Sequence, residues 1–157
     1  MEVLVVCSGN IVRSPFAEGV LRRVLAEKGV KTVIGGSAGT LGIEGAPADP
    51  VAVRLARERG FDLSAHRSRG LHVRDVGRAD LIVCMEEHHA SAVIQLDGAA
   101  DPRTRLLSEF ESVRNDAGGT GIDDPVGRTI EKYQACFRRI DRCVTNLAFD
   151  LKYRRVG

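Results

Sequence analysis

Cys7 stands six residues before Arg13, and Ser14 follows the arginine, in the stretch VCSGNIVRSP (residues 6–15). A cysteine, a glycine and an arginine at that spacing suit one kind of chemistry. Gly9 lets the backbone turn tightly and approach a ligand. Asn10 is one of the few non-glycine types that tolerate left-handed geometry. A loop wound in this way points successive N–H groups of residues 8–13 (Ser8, Gly9, Asn10, Ile11, Val12 and Arg13) inward, as an anion nest. A helix that opens at Ser14 adds its positive end to the same spot. Arg13 closes the ring with a two-pronged grip on phosphoryl oxygens. A cysteine at the floor of such a cradle has surroundings that favour the thiolate, the form that attacks phosphorus.

Spacing alone is weak evidence, because Cys136 and Arg142 repeat it. That copy lies in ACFRRIDR, which has no turn residue and reads as helix, so its two side chains point to different faces. A Walker A ending of Gly-Lys-Ser/Thr is absent, which argues against nucleoside triphosphate binding.

A leaving group needs a proton donor, and three Asp-Pro pairs offer one: Asp49-Pro50, Asp101-Pro102 and Asp124-Pro125. Helix capping accounts for Asp49 and a plain turn for Asp101. Asp124 lies in a long loop that can swing over a pocket, with Asp123 as a neighbour of like charge. The residues themselves leave the choice open.

The elements that must position these groups alternate. VLVV (3–6) reads as a buried strand, and residues 14–28 as a helix with Ser14 as N-cap and Pro15 at the first position. A strand over 32–40 breaks into a glycine-rich loop, and a helix spans 50–59. A third strand (79–85) leads into a helix ending near Leu96, and a fourth strand covers 104–110. A polar loop (111–127) precedes a long helix over 128–153. Such alternation predicts an α/β fold with a parallel sheet. In open sheets of this kind ligands bind beyond the carboxyl ends of the strands. Cys7, Ser37, Gly39, Met85 and Glu86 should therefore meet at one edge.

A length of 157 residues, 43% hydrophobic and 28% charged, predicts one domain over 1–157 with a core that needs no disulfides. A net charge of +2 gives no electrostatic reason to expect a nucleic-acid or membrane partner. Only four of the 23 basic residues are lysine, a bias best read as genome composition. No apolar run approaches the roughly 20 residues of a membrane span, and the short LVV is no signal peptide, so a cytoplasmic location is expected. Reduced cysteines follow from that location, and no C-x-x-C pair suggests zinc. Glu86, Glu87, His88 and His89 invite a metal reading, but adjacent helical residues do not share a face. No metal and no cofactor are expected. Cys84 reads as a small buried hydrophobe, or else as a sulfur close to Cys7, while Cys136 and Cys143 read as core.

VCSGNIVRSP resembles the signature of the low-molecular-weight protein tyrosine phosphatases. The likeness continues in order through SAGT (37–40), DLSAHRSR (62–69), ADLIVCME (79–86) and DDP (123–125). It implies a flavodoxin-like, three-layer fold, a four-stranded parallel sheet with helices on both faces, and metal-free chemistry through a phosphocysteine. It makes Cys7 the nucleophile, Arg13 the phosphate clamp, Ser14 a donor to the thiolate and Asp124 the general acid. Asn10, Ser37 and His66 would hold the loop, and a phosphorylated protein or peptide would be the substrate of a monomer or weak homodimer. Ile11, Leu41 and Val126 would line the substrate pocket.

The chain departs from the family pattern in three places. Val12 stands where many members carry a second cysteine, the usual disulfide partner of the nucleophile. Val126 and Gly127 replace one or two tyrosines, and Leu41 and Gly42 stand where an aromatic is common. Phosphotyrosine is the first substrate reading and phosphoarginine the alternative, against which the apolar Ile11 argues. A thioredoxin-coupled arsenate reductase shares the fold but needs two further cysteines after the third strand, where Cys84 stands alone. A silent phosphate-binding module would not need the cysteine, arginine and aspartate together.

Overall fold

A computed structural model describes residues 1–31, 33–111 and 120–153. Four parallel strands form one sheet in the order β2-β1-β3-β4: β1 Glu2–Cys7, β2 Ile34–Gly39, β3 Leu81–Cys84 and β4 Thr104–Leu106. Among the described residues five α-helices accompany them: α1 Arg13–Glu27, α2 Pro50–Glu58, α3 Val73–Arg78, α4 Glu87–Leu96 and α5 Ile130–Lys152. Every β1 residue but Glu2 is buried, and all of β3 is, as expected of strands covered on both faces.

Alternation along the strands divides the core. Val3, Val5 and Cys7 share a face with Leu81 and Val83, and this face packs against α1, α2 and α5. Leu4, Val6, Ile82 and Cys84 face the other way, onto Val76 of α3 and Val93 of α4. Across the first layer Phe16 of α1 stacks on Phe137 of α5 with ring centroids 3.9 Å apart. That contact fixes the helix that carries Arg13 to the body of the protein.

β1 pairs with β2 on one side (Cys7 opposite Gly39) and with β3 on the other (Val6 opposite Cys84). Chain order reverses at this central strand, so its carboxyl end opens at a switch point, where sheets of this type take ligands.

Three elements differ from the sequence reading. α1 begins at Arg13 with Val12 as N-cap, not at Ser14, because the Ser14 hydroxyl is turned inward to Cys7 instead of capping the helix. β4 stops at Leu106 and a 3-10 turn follows over Leu107–Phe110, because the Glu109 carboxylate accepts the Leu106 N–H and turns the chain. α3 escaped sequence reading because it is six residues long and buries only Val76, too little for a helical apolar pattern. A second 3-10 turn, Gly98–Arg103, leads into β4. Residues 112–119 of the polar loop and the tail beyond Tyr153 lie outside the described residues.

Candidate active site

The chain leaving β1 wraps around the Cys7 sulfur. Asn10 has φ of +57°, the only positive φ of a non-glycine among the described residues, and its N–H reaches Cys7 Sγ at 3.3 Å. Left-handed backbone costs an asparagine less than most residues, and neighbours hold it there. His66 Nε2 donates to the Asn10 carbonyl at 2.7 Å. Gly39, at the end of β2, passes so close that a Cβ there would lie 2.6 Å from the Ser8 carbonyl oxygen.

The hydrogen bonds around Asn10 have one consistent direction. Its Oδ1 accepts the Arg69 N–H at 3.0 Å, which fixes the oxygen end of the amide. Both Nδ2 hydrogens are then donated, to Ser14 Oγ (2.8 Å) and Ser37 Oγ (3.0 Å). Ser14 Oγ, which accepts from Asn10, also lies 3.0 Å from Cys7 Sγ, and it donates to that sulfur when Cys7 is a thiolate. Ser37 passes its hydrogen to Glu18 at 2.7 Å. Cys7 Sγ thus has a backbone N–H and a serine hydroxyl within hydrogen-bond distance, two groups that can donate to a sulfur anion.

Arg13 is 2% exposed, and a buried guanidinium needs partners. Its Nη1 pairs with Glu86 and donates to the Ile122 carbonyl at 2.7 Å. Its Nη2 lies 3.4 Å from Ser8 Oγ and 3.4 Å from Asp124 Oδ2. Ile122 is itself anchored to the end of β3, its N–H on the Met85 carbonyl at 2.7 Å. This contact delivers the Asp124 loop to the cradle.

Cys7, Ser8, Gly9, Ile11, Val12 and Arg13 line a pocket of about 150 Å³, closed by Leu41, Ile43, Asp124 and Val126. The expected pocket residues Ile11, Leu41 and Val126 are all present, and Ile43 adds a wall that the sequence did not single out. Apart from Asp124 the closing residues are aliphatic, and none of the lining residues is aromatic. A second cavity, about 250 Å³, lies beyond Asp124 and is lined by Asp123, Arg128, Lys132 and Cys136 among others.

The remaining candidates separate cleanly. Asp49 caps α2 and accepts from the Tyr133 hydroxyl at 3.1 Å. Asp101 sits in the turn before β4, at the opposite end of the strands from Cys7. Cys84 is fully buried, as a small hydrophobe should be, and lies on the far face of the sheet from Cys7, which rules out the alternative of two adjacent sulfurs, because strand alternation sends them apart. Burial pushes its thiol up to about 12. Cys143 is core, pushed up to about 11 by burial, whereas Cys136 is only partly buried, its thiol raised to about 12 chiefly by desolvation.

Glu86, His88 and His89 correct the argument from helix faces, since their ligand atoms lie within 4.8 Å of one another. Glu86 precedes the helix, so its side chain is free to fold back. Yet Glu86 is engaged by Arg13, and both ring nitrogens of His89 are in use. Nδ1 accepts the Glu86 N–H at 3.1 Å and Nε2 meets Ser8 Oγ at 2.8 Å. Sequence reasoning placed Glu86 at the right edge but gave no role to it or His89. Neither the Arg13 ion pair nor the Ser8 contact has a local signal, because the partners are 73 and 81 positions apart.

Burial, with His88 and Arg13 nearby, lowers His89 to about 3 from its usual 6.5. The facing groups are Arg13, Ser8, Glu86 and His88. A neutral folded histidine and a charged unfolded one mean that the unfolded chain binds more protons below pH 6.5. Stability that His89 contributes at neutral pH should therefore fall as pH drops from about 6.5 towards 3, by at most about 1.4 kcal/mol per pH unit. His89→Gln should remove that dependence, so the wild-type and variant melting curves should converge on acidification. Parallel loss in both proteins from pH 7 to 4 would show that His89 already titrates normally.

A model of the family "low molecular weight phosphotyrosine protein phosphatase" matches residues 2–156. Among curated proteins, a probable low molecular weight protein-tyrosine-phosphatase EpsP of Ralstonia solanacearum is 47% identical over 142 residues, 90% of each chain. Among solved structures, Vibrio vulnificus Wzb in complex with benzylphosphonate is 32% identical with a TM-score of 0.80, covering 95% of this chain and 97% of that one. YwlE arginine phosphatase from Geobacillus stearothermophilus is 28% identical with a TM-score of 0.84, covering 98% and 94%. Fold and site together define a cysteine-dependent phosphatase. The chain belongs to the low molecular weight phosphotyrosine protein phosphatase family.

Proposed function

We propose that residues 1–157 act as one catalytic unit that hydrolyses phosphotyrosine in proteins. The observation that carries this reading is the floor of the pocket: Cys7 Sγ receives the Ser14 hydroxyl and the Asn10 N–H beneath Arg13 and Asp124. The Cys7 thiolate attacks phosphorus and the ester P–O bond breaks. Asp124 gives its proton to the departing phenolate oxygen. Arg13 and the loop N–H groups of residues 8–13 hold the three peripheral oxygens as charge shifts among them. Water then attacks the phosphocysteine with Asp124 taking its proton, the S–P bond breaks, and Ser14 helps stabilise the departing thiolate. Phosphate is released.

Phosphoarginine is the second reading, since YwlE arginine phosphatase structures share the fold. The aliphatic walls and the relatives named as tyrosine phosphatases favour the first. Among the described residues no helix is long and apolar enough to cross a membrane, and the substrate is taken to be protein or peptide.

Matched peptides bearing phosphotyrosine, phosphoserine or phosphoarginine test the reading. Phosphotyrosine should be cleaved best, because the short phosphoserine side chain cannot bring its phosphorus down to Cys7. Faster turnover of the phosphoarginine peptide would overturn it. Val126, 47% exposed at the rim, tests the wall. An aromatic contact adds roughly 0.5–1.5 kcal/mol. Val126→Tyr should therefore lower KM for phosphotyrosine peptides severalfold, by about one order of magnitude at most. kcat should change little, because the ring touches substrate and transition state alike. An unchanged KM would show that position 126 does not meet the substrate ring.

A further inference from the structure

Ser8 contributes more than its backbone to the cradle. Ser8 lines the pocket with Cys7, Arg13 and Asp124. Two groups approach its Oγ: His89 Nε2 at 2.8 Å and Arg13 Nη2 at 3.4 Å. The polarity of the first contact follows from the other side of the ring. His89 Nδ1 accepts the Glu86 N–H at 3.1 Å, so in the neutral ring the proton must sit on Nε2. Nε2 therefore donates to Ser8. A guanidinium has only donors, so Arg13 donates as well. Ser8 Oγ is an acceptor twice over, and its hydrogen has no acceptor among the described residues.

We propose that the Ser8 hydroxyl donates this hydrogen to a phosphoryl oxygen of the bound ester, and that His89 is the positioning residue that aims it. The inference rests on the phosphatase reading and adds a side-chain donor to the loop N–H groups. The buried ring, fully enclosed at the start of α4, is suited to the task. It holds one tautomer, because the Glu86 N–H that fixes it belongs to the backbone at the end of β3. The same two residues serve Arg13, through the Glu86 carboxylate on Nη1 and the Ser8 oxygen near Nη2. The guanidinium and the hydroxyl are thereby set side by side towards the same anion.

Inhibition by orthovanadate, which binds as a phosphoryl-transfer mimic, measures the effect directly, alongside kcat and KM for para-nitrophenyl phosphate. A hydrogen bond to a charged group is among the stronger kind, so Ser8→Ala should raise the vanadate inhibition constant by about tenfold or more. Ser8→Thr, which keeps the hydroxyl, should stay within about threefold of wild type. His89→Leu should weaken vanadate binding by about the same factor as Ser8→Ala, yet by less than about twofold when Ser8 is already alanine. His89→Gln, whose amide can still donate to Ser8, should restore most of the loss. An unchanged vanadate constant in the soluble, folded Ser8→Ala protein overturns the proposal and leaves the phosphatase reading intact. A His89→Leu loss of equal size in both backgrounds overturns the positioning role. Failure of vanadate to inhibit the wild-type enzyme sinks both readings together.

Discussion

Cys7→Ser is expected to abolish turnover of para-nitrophenyl phosphate, by about 10⁴-fold or more, while the protein stays folded. The exchange replaces one buried atom by a slightly smaller one. The site it enters is already polar, with the Ser14 hydroxyl and the Asn10 N–H aimed at the position of the sulfur. A serine oxygen can accept both, so the melting temperature should move little. Chemistry changes far more than packing does. A serine hydroxyl is not ionised at neutral pH, and the two groups that touch this position, the Asn10 N–H and the Ser14 hydroxyl, include no base to take its proton. Residual hydrolysis near the wild-type rate, after purification away from host phosphatases, would sink the phosphocysteine mechanism. Loss of activity together with loss of the folded state would show instead that the sulfur is needed for the loop.

The contrast between what the sequence showed and what it hid follows the range of the interactions. The alternation of apolar strands and amphipathic helices is local, so β1, β3 and the long α5 were legible, as was their parallel arrangement. The loop from Cys7 to Arg13 was legible because glycine, asparagine and arginine have few structural reasons to stand at that spacing between a strand and a helix. Its supports were legible only through family resemblance. Nothing local links Asn10 to Ser37 or His66, which reach it from 27 and 56 positions away. Ser14 was misread as a cap for an instructive reason. Serine before proline at a helix start is a normal capping signal, but here the same hydroxyl is turned to the sulfur, and Val12 ends the loop with no side-chain cap at all. Cys84 is the small buried hydrophobe that the sequence favours, and only the alternative that set its sulfur close to Cys7, suggested by its position at a strand end, fails. The period of two along β1 and β3, which sends Cys84 to the Val6 side, was the better guide.

Asp124→Asn carries the second large effect. The structure narrows three Asp-Pro pairs to one by position. Asp101 is at the amino end of the sheet, and Asp49 has both carboxylate oxygens occupied, one by the Val51 N–H and one by the Tyr133 hydroxyl. Asp124 alone of the three lines the pocket with Cys7. One of its oxygens accepts the Val126 N–H at 3.1 Å, which orients the carboxyl, and the other lies on the Arg13 side. It is 44% exposed, so the carboxylate left by the first step is open to the water whose proton it takes in the second. An asparagine keeps the shape and the Val126 contact but cannot transfer a proton. The rate with para-nitrophenyl phosphate should fall by about a hundredfold or more, within the roughly 10²–10⁴ that a general acid supplies. The loss should be larger with phenyl phosphate, whose leaving oxygen is more basic and needs the proton more. Asp123→Asn and Asp101→Asn are the controls. Asp123 lines the cavity beyond Asp124 rather than the pocket over Cys7, and its substitution should cost much less. Kinetics of the three variants on the two substrates decide the assignment. If Asp123→Asn is the worse enzyme, or if the Asp124→Asn deficit is the same for both leaving groups, the proton comes from elsewhere.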